Sequence, residues 1–122
     1  MYTIEDILAL PEGKHAELLD GEMFMMSSPT VKHQDVAGWF FYEICNHIRR
    51  RQGQCRVYQM GLGVFLMRDE KNYVEPDVSV ICDREKLEPD GCHGAPDWII
   101  EIVSPSSKKM DYKRKLAAYE KA

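Results

Sequence analysis

The spacing of apolar residues changes repeatedly between a helical and a strand-like period, which predicts a mixture of helices and strands. Helical spacing begins after Thr3, dominates 31–52 and returns over 110–122. Short apolar runs bounded by turn residues indicate strands at 16–19, 22–26, 55–59, 63–68, 78–82 and 98–103. Asp20-Gly21 between the first two runs favours a β-hairpin, and 83–95 is predicted to be a polar loop.

This order of elements predicts an α/β (α+β) domain in which helices flank one central mixed β-sheet. A length of 122 residues favours a single domain over 1–122. The last predicted helix reaches Ala122, where a sheet domain of this kind would be expected to continue into a further strand. We therefore expect the domain to be truncated and to lack its last C-terminal strand or strands.

The composition is typical of a soluble globular protein, with 44% hydrophobic and 30% charged residues. A formal net charge of −4 argues against a wholly basic nucleic-acid binder but permits a local basic groove. No apolar run approaches the roughly 18 residues of a membrane span, and the N-terminus does not resemble a signal peptide. We therefore expect a cytoplasmic protein with no membrane partner.

The four cysteines form no Cys-x-x-Cys pair, and nothing marks the chain as secreted. We expect all four to be reduced thiols; they are Cys45, Cys55, Cys82 and Cys92.

Two of the strand-like runs carry a carboxylate beside strongly apolar neighbours. Asp77 stands at the entrance to the run 78–81, and Glu101 is flanked by isoleucine on both sides. An ionised carboxylate in such a strand is costly unless a cation or a hydrogen-bond donor meets it. We therefore predict that Asp77 and Glu101 converge on one Mg²⁺ or Mn²⁺ ion, because hard divalent cations prefer oxygen ligands. Such an ion can polarise a phosphodiester and generate hydroxide from water.

A lysine near the two acids would stabilise developing negative charge. In a common nuclease pattern this lysine follows the second acid by two residues, but that position is Val103. A C-terminal helix packed back on the strand could supply a replacement from its basic residues, which are Lys108, Lys109, Lys113, Arg114 and Lys115.

Several short motifs occur together in a fixed order over nearly the whole chain. They are Glu-Leu-Leu-Asp-Gly-Glu at 17–22, Met-Ser-Ser-Pro at 26–29, His33-Gln34, Glu-Pro-Asp-Val-Ser-Val at 75–80, the segment 94–107, Asp111, and Lys-Leu-Ala-Ala-Tyr at 115–119. In this ordered set the chain resembles the Uma-type restriction endonuclease family, a branch of the PD-(D/E)xK nuclease superfamily. Family members usually continue past the last helix with one more strand, which this chain does not contain.

The resemblance implies a restriction-endonuclease-like core with Asp77 and Glu101 as metal ligands. It also implies that Lys115 is the displaced catalytic lysine and that Glu17 is an acid near the metal. His33 and Gln34 match a polar pair at the start of the long helix. We expect these two residues to contact nucleic acid, together with two basic residues of the last helix, Lys113 and Arg114.

We therefore predict that the protein is a metal-dependent endonuclease that hydrolyses DNA phosphodiester bonds by attack of water on phosphorus. A homodimer is expected, because cutting both strands needs two sites and symmetric pairs are common. The alternative is a catalytically inactive binding or assembly module with a nuclease fold, which the acidic composition favours. A metal-independent hydrolase has little support, since no Gly-x-Ser-x-Gly motif occurs.

Each candidate residue also has an ordinary structural reading. Asp77 could bond local amides at a strand start, Glu101 could lie on a wet sheet face, and Lys115 could be a solvated charge. Glu17 could be a cross-strand partner of a cation, and His33 could be only a cap contact. The preferred interpretation of Arg49-Arg50-Arg51 is a solvated helix end, and the alternative is a contact with nucleic-acid phosphates. Trp39 and Phe40 are expected in the core.

Overall fold

The computed structural model describes residues 1–103 and 109–122, with side chains described for 1–103 and 112–122. The predicted strand break at 104–107 and the candidate residues Lys108, Lys109 and Asp111 therefore lie outside the described residues or side chains. The helices are α1 (Ile4–Leu8), α2 (Val31–Arg50) and α3 (Lys109–Lys121), with a short 3₁₀ helix at Arg84–Lys86. The strands are β1 (Ala16–Leu19), β2 (Glu22–Met25), β3 (Arg56–Gln59), β4 (Val64–Phe65), β5 (Val78–Ile81), β6 (Leu87–Glu88), β7 (Gly91–His93) and β8 (Trp98–Ile100).

The described strands form three small hydrogen-bonded sheets instead of the single central sheet that we expected. β1 and β2 form the predicted hairpin, β3-β5-β8 is antiparallel throughout, and β4-β7-β6 is mixed. Isolated bridges from Tyr73 to Leu18 and from Val74 to Val64 connect the hairpin with the mixed sheet. The predicted strand 63–68 is reduced to two residues because the chain turns at once, with Arg68 at a φ of 53°.

The segment 83–95, predicted to be a loop, instead contains the 3₁₀ helix and the strands β6 and β7. β7 runs parallel to β4, and the two backbones approach closely at Gly91. A Cβ at Gly91 would lie only 2.3 Å from the carbonyl oxygen of Gly63, and φ at Gly91 is +146°. Only glycine fits both the contact and the backbone angle, so this extra pairing depends on a single small residue.

The core is divided between the sheets. α2 packs Ala37 and Ile44 against Val78 and Val80 of β5, with Phe40 partly buried beside them. The prediction that Phe40 belongs to the core is confirmed, whereas the same prediction for Trp39 is wrong, since Trp39 is 59% exposed. α3 contributes Ala118 to a second cluster, around β4 and β7. α2 is thereby fixed on β5, and α3 is fixed on a cluster that includes Leu19 of β1 and Ile81 of β5.

Two of the four cysteines form a disulfide, so the expectation of four reduced thiols is wrong for Cys55 and Cys82. β3 and β5 are antiparallel, and the register that pairs Arg56 with Ile81 places these two cysteines opposite each other, with Cα atoms 4.0 Å apart. Cys45 and Cys92 remain free. The disulfide ties the ends of two neighbouring strands that sequence spacing alone does not bring together.

None of the helices in the described part of the chain is both long enough and apolar enough to cross a membrane.

Candidate active site

A cavity of about 490 Å³ lies where the hairpin, the start of α2, the strands β5 and β8 and the helix α3 meet. Four of its lining side chains are the predicted catalytic residues, namely Glu17, Asp77, Glu101 and Lys115. The structure therefore brings together residues that are up to 98 positions apart in the sequence.

The register of β5 and β8 places Asp77 and Glu101 side by side. Val78 pairs with Ile100 in this antiparallel ladder, so the residue before Val78 faces the residue after Ile100. The backbone N–H of Asp77 donates to Glu101 Oε1 at 3.3 Å, and Asp77 Oδ2 accepts from the N–H of Ile102 at 2.7 Å. The two acids thus belong to one hydrogen-bonded unit at the end of the sheet, and Asp77 is not an isolated strand start.

Lys115 reaches the two glutamates from α3. Its Nζ lies 2.5 Å from Glu101 Oε2 and 2.8 Å from Glu17 Oε1, and the lysine side chain is only 11% exposed. A solvated surface lysine would not be buried in this way, so the ordinary reading of Lys115 does not hold. One ammonium group is shared between two carboxylates, with a third carboxylate, Asp77, close by.

Glu17 is held from its other side by the backbone. Its Oε2 accepts from the N–H of Glu75 at 2.9 Å, while Glu75 itself is buried and contacts His15 and the hydroxyl of Tyr73. Glu17 lies on β1, whose four residues are all buried. The cation partner that we considered for Glu17 is Lys115, which comes from α3 and not from the opposite strand.

The balance of charge in the site leaves negative charge uncompensated. Burial raises the pKa of Glu101 to about 7, against the opposing charge and hydrogen bond of Lys115; the charges of Glu17 and Asp77 add smaller increases. Burial alone would lower the pKa of Lys115, but the carboxylates of Glu17 and Glu101 outweigh it and raise the pKa. The lysine therefore stays protonated at neutral pH, while the acids compete for one ammonium group and a proton.

His33 joins the site from the first turn of α2. Its Nε2 lies 3.1 Å from Asp77 Oδ1, and its Nδ1 is buried without a hydrogen-bond partner among the described residues. Thr30 caps the helix by accepting from the backbone N–H of His33, so the cap contact exists but involves the backbone and not the imidazole. The imidazole holds one oxygen of Asp77 within the cavity.

The other three predicted nucleic-acid contacts are not part of this cluster. Gln34 and Lys113 are exposed, and neither lines the cavity. Arg114 forms an ion pair with Glu22 of β2, and its guanidinium lies 5.3 Å from the centre of the Phe24 ring. Arg114 therefore fastens α3 to the hairpin, while Gln34 and Lys113 remain available at the surface.

Two tyrosines of α3 were missed by sequence reasoning. The hydroxyl of Tyr112 donates to the carbonyl of Ile102 at 3.1 Å. The hydroxyl of Tyr119 is buried and has no hydrogen-bond partner among the described residues. Burial, together with the nearby charge of Glu101, raises the pKa of Tyr119. Tyr112, Lys115 and Tyr119 follow the i, i+3, i+7 spacing of one helix face. This helical spacing in the sequence could have indicated that the two tyrosines lie on the same face as Lys115.

The donor chemistry of the cluster suits a hard divalent cation. Asp77 and Glu101 present carboxylate oxygens to the cavity, and such oxygens are the preferred ligands of Mg²⁺ and Mn²⁺. Three acids face one lysine ammonium group, which leaves negative charge that a cation would neutralise. Among residues 1–103 and 112–122, however, no three His, Cys, Asp or Glu side chains are already grouped as a metal site.

Comparison with known proteins agrees with this geometry. Residues 4–122 match the model of the Uma2 family, which is described as "Putative restriction endonuclease". The chain belongs to this family. Its membership confirms the resemblance drawn from the ordered motifs.

A solved structure and a curated protein are also similar. A crystal structure described as a "putative nuclease belonging to DUF820", from Anabaena variabilis, matches with a TM-score of 0.73 and 25% identity, over 98% of this chain and 69% of that chain. This match confirms the α/β class and the restriction-endonuclease-like core. "Uncharacterized protein slr1290" from Synechocystis sp. is 28% identical over 106 residues, which are 87% of this chain and 54% of that protein. The chain thus spans about half the length of this curated relative.

Proposed function

We propose that the protein is a nuclease that hydrolyses DNA phosphodiester bonds with the help of Mg²⁺ or Mn²⁺. The observation that carries the proposal is the convergence of three acids and a buried lysine in one cavity. Family membership and the similarity to a nuclease structure support the reaction class. The cavity of about 490 Å³ is also lined by Thr30 and Met60, so a phosphate group has room beside the acids.

Asp77 and Glu101 would hold the cation, since they lie side by side at the end of β5 and β8. A cation bound there would polarise the scissile phosphate and lower the pKa of an attacking water. The role of His33 is to orient Asp77 through the contact of its Nε2 with Oδ1. Glu17 fixes the position of Lys115 from the hairpin side.

Lys115 would stabilise the negative charge that develops on the phosphate. Its ammonium is buried and protonated at neutral pH, and a charge in a water-poor site acts more strongly than one at the surface. Glu17 and Glu101 already hold this ammonium group in place beside the proposed metal ligands.

We further propose that the substrate is DNA and that the active form is a homodimer, because two sites are needed to cut both strands of a duplex. A cytoplasmic location is part of the same proposal. Lys113 and Gln34, both exposed near the site-bearing helices, are proposed to contact the nucleic acid, while Arg114 and His33 would contribute from the rim of the hairpin and from the cavity.

Nicking of supercoiled plasmid in the presence of Mn²⁺ tests the proposal. The wild type should convert supercoiled to open-circular plasmid, EDTA should stop the conversion, and Glu101→Ala should abolish it. Glu120→Ala, at an exposed position of the same polypeptide, is the matched control and should cut like the wild type. Equal nicking by wild type and Glu101→Ala would mean a contaminating nuclease and would remove the enzyme from the proposal.

A catalytically inactive module with the same fold is the second candidate. It is favoured by the ion pairs that Lys115 makes with both glutamates, which already occupy the carboxylates. Thermal unfolding with and without Mn²⁺ separates the two candidates, since a bound cation stabilises the folded state by about 2.7 kcal/mol at 100 times its Kd. The nuclease should gain this stability and lose the gain in Asp77→Ala, whereas the module should be indifferent to metal.

A further inference from the structure

A group of arginines lies at the end of α2 that is opposite to the candidate active site. Arg49 and Arg56 line a second cavity, of about 310 Å³, together with Ile48, Cys55 and Tyr58. Arg84 reaches the same region, because its guanidinium donates to the carbonyl of Gln54 at 3.4 Å. With the two residues that follow Arg49 in the chain, the arginine cluster consists of Arg49, Arg50, Arg51, Arg56 and Arg84.

The members of the arginine cluster are all exposed. Among the residues whose side chains are described, none of them forms an ion pair with a carboxylate. Two acids that precede the 3₁₀ helix and β8 accept hydrogen bonds from backbone N–H groups. Asp83 accepts from the N–H of Glu85, and Asp97 accepts from the N–H of Cys82. Five positive charges are therefore concentrated on a protein whose net charge is −4.

Stabilisation of the helix end does not explain the whole cluster. Positive side chains in the last turn interact favourably with the negative end of the helix dipole, and this accounts for Arg49 and Arg50. It does not account for Arg56, on β3, or for Arg84, on the 3₁₀ helix. The Cys55–Cys82 disulfide links the segments that carry these two residues. The arrangement is therefore set by three elements and held by a covalent bond.

We propose that the arginine cluster binds backbone phosphates of duplex DNA, outside the cavity that contains the acids. Guanidinium groups match phosphate oxygens with paired N–H donors, and several such contacts add affinity without selecting a sequence. This inference rests on the proposed function, because it takes DNA as the shared ligand.

The distance between the cluster and the site suits one duplex. His33 and Arg49 are 16 residues apart on α2, which corresponds to about 24 Å at a rise of about 1.5 Å per residue. A duplex covers this length in about seven base pairs, at about 3.4 Å each. A duplex that runs from the active site along α2 would therefore reach the arginine cluster in less than one helical turn.

The proposal can be tested by measuring DNA affinity in EDTA, where catalysis is not required. Fluorescence anisotropy with a labelled duplex of about 20 base pairs gives this affinity over a range of salt concentrations. Arg49→Gln/Arg56→Gln should lower the affinity on the order of 100-fold at 50 mM salt and should reduce the slope of log K against log salt by about 1.8, or 0.9 for each lost phosphate contact. Lys14→Gln/Lys71→Gln removes the same charge from exposed positions elsewhere and should leave the affinity within a few-fold of the wild type. Arg49→Lys/Arg56→Lys should retain most of the slope.

Several results would overturn the inference. The first is an equal loss of affinity in the arginine double variant and in the Lys14→Gln/Lys71→Gln control, and the second is a wild type that does not bind DNA. The others are displacement of the duplex by millimolar inorganic phosphate and arginine-dependent binding that is tighter for duplex RNA than for DNA. The outcome is separable from that of the proposed function. If DNA binding depends on the arginines but no metal-dependent nicking occurs, the DNA-binding role of the cluster is supported and the nuclease activity is contradicted. If the protein nicks DNA but Arg49→Gln/Arg56→Gln binds DNA as the wild type does, the nuclease activity is supported and the role of the cluster is contradicted.

Discussion

Replacement of Glu101 by glutamine should make the stability of the protein less dependent on pH. Glu101 is the acid whose pKa is raised to about 7 from its ordinary value of 4.5, by burial and by the charges of Glu17 and Asp77. Between these two values the folded state binds a proton that the unfolded state has released. The stability contributed by this proton is therefore fully present below about pH 4.5 and is lost as the pH rises through about 7.

The magnitude follows from the change in pKa. A difference between 4.5 and about 7 corresponds to up to about 3 kcal/mol, and little of it is lost to solvent screening because the Glu101 side chain is only 17% exposed. Glutamine keeps the shape and cannot ionise. Relative to the wild type, Glu101→Gln should therefore gain about 3 kcal/mol as the pH is raised from 4 to 8.

Urea denaturation of both proteins at several pH values gives the difference directly. Contributions of the histidines and of acids outside the cluster cancel in the comparison, since both proteins contain them. Glu120→Gln, an exposed substitution on α3, should follow the wild-type curve at every pH. Parallel curves for wild type and Glu101→Gln between pH 4 and 8 would refute the reasoning that burial raises the pKa of Glu101 in the folded state.

Three further variants test other parts of the structure. Lys115→Met should destabilise the fold by about 3–5 kcal/mol, because it leaves buried carboxylates unpaired; urea unfolding measures this, and a loss below 1 kcal/mol would contradict the buried ion pairs. Replacing Cys55 and Cys82 by serine should cost about 3 kcal/mol, since the bridge spans 27 residues, and dithiothreitol should then have no further effect on unfolding. Thr30→Ala should cost about 1 kcal/mol through loss of the α2 cap, whereas an unchanged melting temperature would argue against that cap.

The sequence was sufficient to predict the residues that converge on the site, for identifiable reasons. Asp77 precedes an apolar run and Glu101 lies within one, and an acid in such a place needs a partner, so their proximity could be expected before the strand register was known. The position of the last helix after the strand that carries Glu101 indicated a lysine from that helix, and the ordered motifs identified it as Lys115. The ordered motifs supplied Glu17, for which local pattern alone gave no preference.

Other features depend on long-range pairings that local pattern does not encode. Cys55 and Cys82 meet only because β3 and β5 are neighbours in a particular register, and no spacing rule indicates this. The parallel contact of β4 with β7 depends on the close approach at Gly91. Trp39 was assigned to the core because its spacing is helical, but the sheet under α2 is narrow and buries only the face that carries Ala37 and Ile44.

The central claim is that acids from neighbouring strands converge with a lysine from the last helix to hold a catalytic cation. The most direct test is an anomalous difference map from crystals soaked in Mn²⁺. The account predicts one peak within bonding distance of carboxylate oxygens of both Asp77 and Glu101, absent in Asp77→Ala. A map without a peak in this cavity at saturating Mn²⁺, or with a peak bound only to residues elsewhere, would contradict it.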